Sequence, residues 1–90
     1  MEILIKKNDN NTFAVFIENC VNSNHIVTLT DDIHFEMTEG IKSKEELILF
    51  SFKFLLEREH NTSILSNFNL ETIQNYFPEY KNEIQNWKNL

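Results

Sequence analysis

The sequence predicts an α+β domain: a three-stranded antiparallel meander followed by a central buried helix and two or three shorter C-terminal helices. Three observations lead there. Apolar residues alternate with polar ones in the first thirty positions, which is the period of a strand. Ser43-Lys44-Glu45-Glu46 is a capping box that opens straight into an apolar run, the signature of a helix start. Beyond His60, apolar residues return at spacings of three and four.

Residues 2–7 read as a first strand, with Ile3 and Ile5 on one face, and residues 12–20 as a second, with Phe13, Val15 and Ile17 recurring at period two. Asn8-Asp9-Asn10-Asn11 between them is a turn, because Asn and Asp bond their own backbone and tolerate positive φ. Val21-Asn22-Ser23-Asn24 makes the next turn and leads to a third strand, His25 to Thr30. Connections this short force antiparallel neighbours. Asp31 or Asp32 then caps a short helix through Glu39, with Ile33 and Met37 inward, Phe35 beside them and Gly40 at the exit.

The Ser43-capped helix is expected from Lys44 to about Glu59. Leu47, Phe50 and Phe54 form one stripe, Ile48 and Leu55 a second, and Leu49, Phe52 and Leu56 a third. Only Glu46, Lys53 and Glu57 make a continuous polar seam. Such a helix must be covered from two sides, by the sheet and by the C-terminal segment. That segment resumes a helical pattern at Ile64, Leu65, Phe68, Leu70, Ile73, Tyr76 and Phe77, with Asn69 as a cap and Glu71 in the first turn. Pro78 ends this helix and begins the last, on which Tyr80, Ile84 and Trp87 share a face.

Ninety residues of this composition make one domain, residues 1–90. A single Gly removes the phosphate-cradling loops that need two or three, and a single cysteine, Cys20, removes internal disulfides and thiolate zinc modules. Met1 to Lys7 does not have the layout or length of a signal peptide, and no window reaches the roughly 18 apolar residues of a spanning helix, so the expected location is the cytoplasm.

Ser51 to Glu59 (SFKFLLERE), Ser63-Ile64-Leu65, Phe68, Leu70, Ile73 and Tyr76-Phe77-Pro78-Glu79-Tyr80 resemble a pattern in a family of small uncharacterised bacterial proteins. The resemblance covers the C-terminal half and implies the same arrangement, strands first and helices last, with no activity attached. Where that family carries proline after the second Glu of the RE pair, this chain has His60.

No catalytic, cofactor-binding or metal-ligating set is expected. His25, His34 and His60 fall on different elements, and none has the i, i+4 partner of a helical metal pair. His34-Phe35-Glu36 echoes a zinc deaminase without its paired cysteines. Cys20 reads as a small buried hydrophobe, although His25 across the turn would be its only available base. Arg58, the only arginine, is either an anion fork or a cation at a helix C-terminus that braces the next segment.

The formal charge is −6. Asp31, Asp32, Glu36, Glu39, Glu45 and Glu46 against Lys42 and Lys44 place −4 of it in residues 31–46. These acids are a docking patch for a basic partner or the ordinary occupants of two helix starts. The aromatic side chains, among them Tyr80 and Trp87, exceed what a three-stranded sheet hides, and interfaces use such surface. The expected function is therefore a non-enzymatic protein-protein interaction or self-association module. It would use Asp31, Asp32, Glu36, Glu39, Arg58, Tyr80 and Trp87 toward a protein partner or a second copy. The alternative is an acidic antitoxin or inhibitor binding a basic partner, or a regulator resembling the ribbon-helix-helix order from His25 through the Ser43-capped helix. Nucleic acid is not the expected ligand, because acids rather than arginines flank that strand.

Overall fold

The computed structural model describes all 90 residues. The chain begins with β1 (Glu2–Lys7), β2 (Thr12–Glu18) and β3 (Ser23–Thr28), and these form the expected antiparallel meander. Asp9 makes the first turn by accepting from the N–H groups of Asn11 and Thr12, both at 2.9 Å. Two helices follow, α1 (Asp31–Thr38) and α2 (Lys44–Leu56). After them come a 3-10 turn at Asn61–Ser63, β4 (Asn67–Asn69), a second 3-10 turn at Leu70–Thr72, α3 (Ile73–Tyr76) and α4 (Tyr80–Lys88).

The sheet has four strands, in the order β1-β2-β3-β4, and β4 runs parallel to β3, which corrects the three-stranded expectation. The Ile26 N–H donates to the Ser66 carbonyl at 2.8 Å as the chain enters β4. A parallel neighbour needs a long crossover, and α1 with α2 supplies it. β4 interrupts the stretch expected to be helical from Ile64 because the open side of β3 offers it backbone partners, and tertiary pairing overrides local spacing.

The start of α2 follows the sequence, whereas α4 begins at Tyr80 with Glu79 in the cap position rather than at Pro78, and Asn69 stands before the Leu70–Thr72 turn without a side-chain cap bond. Ser43 and Glu46 bond each other's backbone N–H groups in the expected capping box, at 3.1 and 3.0 Å. The cap of α1 is Thr30 rather than Asp31 or Asp32, its hydroxyl accepting from the Ile33 N–H at 3.3 Å. Both aspartates thus sit in the first turn, where the helix dipole favours them. Left-handed Glu39 and Gly40, at φ 57° and 78°, close α1. α2 ends at Leu56, short of Glu59, and the N–H groups of Arg58 and Glu59 fold back onto the Leu55 carbonyl.

α2 is sandwiched. On the sheet side Phe52 lies between His25 and Phe68, with ring centroids 5.5 and 6.0 Å away. On the other side Phe54 meets Phe77 and Tyr80, at 5.8 and 5.0 Å, while Phe50 stacks on Trp87 at 4.5 Å. Ser51 donates its hydroxyl proton to the Leu47 carbonyl, so the buried Tyr80 hydroxyl donates to Ser51 Oγ. Burial raises the Tyr80 phenol above its ordinary value. Phe13, Val15, Ile17, Val27, Leu47, Ile48, Phe52, Leu70 and Ile84 complete the core. Each large side chain fully removed from water contributes about 1.5–3 kcal/mol.

Two lysines tie the layers together. Lys44 Nζ reaches the Asn10 carbonyl and Asp31, both at 2.7 Å, and Lys88 Nζ reaches Glu39 at 3.0 Å. The sheet face away from α2 carries Leu4, Ala14, Phe16 and Ile26, of which Leu4 and Ile26 are exposed. No helix is long and apolar enough to cross a membrane.

Candidate functional site

Beside β4 the surface opens into an apolar pocket of about 280 Å³. Leu55 and Glu59 reach it from the end of α2, Ser63, Ile64 and Leu65 from the following turn, Phe68 from β4, and Thr72, Ile73, Tyr76 and Phe77 from around α3. Its floor is core: Leu55, Ile64, Phe68 and Ile73 are buried. Its rim is not, with Leu65 50% and Tyr76 65% exposed.

The wall carrying Leu65 is fixed by a buried polar network. His25 Nδ1 donates to the Leu65 carbonyl at 2.7 Å, because a carbonyl can only accept; in the neutral ring Nε2 accepts from Ser23 Oγ at 2.8 Å. Asn61, fully buried, donates to Ser23 Oγ and to the Val21 carbonyl, both at 2.8 Å. No buried side-chain polar atom of the chain lacks a partner. Such closed networks rigidify what they hold. The exposed Leu65 side chain is thus presented from a fixed backbone.

Glu59 is the one charged group of the lining. Burial against the apolar wall raises its carboxyl above the ordinary carboxylate range. The neighbouring guanidinium turns away: Arg58 donates to Glu79 at 3.1 Å, Glu83 at 2.7 Å and the Phe54 carbonyl at 2.9 Å, and lies 3.6 Å over the Phe54 ring. Of its two expected roles, Arg58 therefore occupies the brace, locking the end of α2 to the start of α4.

The other expected partner-binding residues are scattered. Tyr80 is fully buried and unreachable by a partner. Trp87 is half-buried between Phe50 and the Lys42 ammonium, 5.4 Å above its ring. In the acidic segment Asp31 is held by Lys44 and Asn10, Glu39 by Lys88, and Glu46 by the Ser43 cap, while Asp32 and Glu36 stay exposed. The Lys44 hydrogen bond lowers the Asp31 carboxyl, and the Ser43 backbone N–H lowers that of Glu46.

No family model, no curated protein and no solved structure matches the chain. What the site can do is read from its own chemistry. Cys20 is exposed rather than buried, because β2 ends at Glu18 and leaves it in the turn. Both ring nitrogens of its one candidate base, His25, are already engaged. Phe35, expected near the inner face of α1, points to solvent. β3 pairs with β2 along its length and with β4 over Ile26–Thr28.

Of the apolar residues between Ser51 and Tyr80, Phe52, Phe54, Leu55, Ile64, Phe68, Leu70, Ile73 and Tyr80 belong to the core. Leu65 and Tyr76 were not expected from the sequence to bind a partner, because they look like any other helical apolar positions. The signal that distinguishes them is exposure, which follows only once β4 has broken the helix.

Proposed function

We propose that this protein is a non-enzymatic protein-interaction module, and that the pocket beside β4 grips a segment of a basic partner. The segment inserts one apolar side chain between Leu65 and Tyr76 and sets a Lys or Arg beside Glu59. The observation that carries this reading is the joining of an open apolar pocket to a single, partly buried carboxylate with no cation in the lining. Interface anchors are apolar side chains seated in such pockets. A cationic neighbour would restore to Glu59 the stabilisation that burial removes, and the net charge of −6 would speed its approach. A cytoplasmic setting suits the lone, exposed Cys20, which reducing conditions keep as a thiol.

Selection of peptides from a random phage-displayed library on the full chain tests the proposal. The selected peptides should share an apolar residue next to Lys or Arg. Leu65→Asp should abolish their binding, and Glu59→Gln should weaken it roughly fivefold, the scale of one charge-assisted contact. Peptides that are acidic or share nothing, or that bind Leu65→Asp as well as the parent chain, would overturn it.

A further inference from the structure

The opposite side of the sheet ends in β1, and its free edge has a definite polarity. The Asn8 N–H donates to the Thr12 carbonyl, and pairing runs Lys6↔Ala14, Leu4↔Phe16 and Glu2↔Glu18. Hydrogen bonding alternates along an antiparallel ladder, so the even residues turn their backbone groups to β2. The N–H and C=O groups of Ile3, Ile5 and Lys7 therefore line the free edge. The second ladder agrees, since the Leu29 N–H bonds to the Asn11 carbonyl and odd residues of β2 face β3.

We infer that this edge pairs antiparallel with β1 of a second copy, with Leu4 on the twofold axis, so that two four-stranded sheets become one. In this register Ile3 faces Ile5 of the other copy and exchanges both backbone hydrogen bonds with it. Leu4 faces Leu4, and Glu2 faces Lys6 twice, once on each side of the axis.

Three independent requirements select this register. A shift by one residue would set the free backbone groups of one copy against residues already bonded to β2 in the other, and would place the two core faces on opposite sides of the joined sheet. A shift by two keeps the faces but sets Leu4 against Lys6, or Glu2 against Leu4. Only the Leu4-centred pairing joins opposite charges, matches apolar to apolar and aligns free donors with free acceptors.

The flanking surface suits a second copy as well. Along the edge runs a groove of about 390 Å³ lined by Met1, Ile3, Phe50, Leu56 and their neighbours. Ile5 of the second copy stands beside Ile3 on that face, at the mouth of the groove. On the other face Leu4, 51% exposed in the single chain, is covered by its counterpart. Lysines on an edge strand commonly guard it against any pairing. Here Glu2 converts Lys6 from a guard into a selector of one partner.

Sedimentation equilibrium of the full chain tests the inference, with circular dichroism confirming the fold of each variant. The parent chain should reach twice its 10.8 kDa mass as concentration rises. Glu2→Lys sets two lysines against two lysines, and Lys6→Glu sets two glutamates against two glutamates. Each variant alone should dimerise roughly tenfold to a hundredfold more weakly, since both cross-strand pairs reverse sign. An equimolar mixture of the two should regain the parent affinity, because each mixed pair again joins Glu to Lys. A parent chain that stays monomeric at high concentration, or variants that associate equally alone and mixed, would overturn the inference. No residue of the pocket beside β4 takes part, so peptide binding there can persist or fail independently.

Discussion

β4 and β1 close the two sides of one sheet, and they close them differently. β4 is three residues long, Asn-Phe-Asn, and its one apolar side chain is drawn inward against Phe52. β1 is six residues long, with three apolar side chains in its middle and opposite charges at its ends. A short polar strand ends a sheet safely; a longer apolar one invites extension. The comparison teaches that the two sides offer different surfaces to a partner. Beside β4 it is an open side-chain pocket, and along β1 it is a row of unpaired backbone groups.

The strongest way to break the comparison is to remove what both sides share. Phe52→Ala leaves a cavity between the sheet and α2 and should cost about 3–5 kcal/mol, read from denaturant unfolding. Asn61→Ala acts on the β4 side alone. It strips the Val21 carbonyl and Ser23 hydroxyl of a buried donor and should cost about 1–3 kcal/mol, with hydrogen exchange rising first around Leu65 and β4. Leu4→Ala acts on the β1 side alone. Because Leu4 is largely exposed in the single chain, it should move monomer stability by less than about 0.5 kcal/mol while weakening the dimer.

The smallest effect is a pH dependence. The carboxyl of Glu59 is raised in the fold, so the folded chain holds a proton there that the unfolded chain releases. That contribution to stability is full at low pH and is lost as pH rises through the raised value. Glu59→Gln should therefore raise the melting temperature slightly at neutral pH, and the gain should vanish on acidification. Asp31 and Glu46 carry the opposite sign, since their lowered carboxyls stabilise above the ordinary carboxylate range and cease to as pH falls through their own values.

Much of the scaffold was legible in the sequence. Period-two alternation marks β1 and β2, and the Ser43–Glu46 box marks the start of α2. The apolar circumference of α2 dictates the cover that Tyr80, Phe77 and Trp87 provide. β4 was not legible, because Asn67-Phe68-Asn69 is too short to show a period and forms only where the open side of β3 receives it. The pocket was hidden for the same reason, its walls coming from segments that β4 brings together. The charge pattern Glu2-Ile-Leu-Ile-Lys6 was visible throughout. It gained meaning only when the strand order placed β1 at an edge.

Disulfide trapping tests the twofold register at Leu4 most directly. Leu4 pairs with itself across a non-hydrogen-bonded position, where Cα atoms lie about 4.5 Å apart, within reach of a disulfide. In a Cys20→Ser background, Leu4→Cys should oxidise rapidly to a covalent dimer that keeps the native fold. Glu2→Cys and Lys6→Cys should cross-link efficiently only when mixed. If Leu4→Cys stays monomeric under oxidation, or if Glu2→Cys alone links as readily as the mixture, β1 does not pair about Leu4 and the account of that edge is wrong.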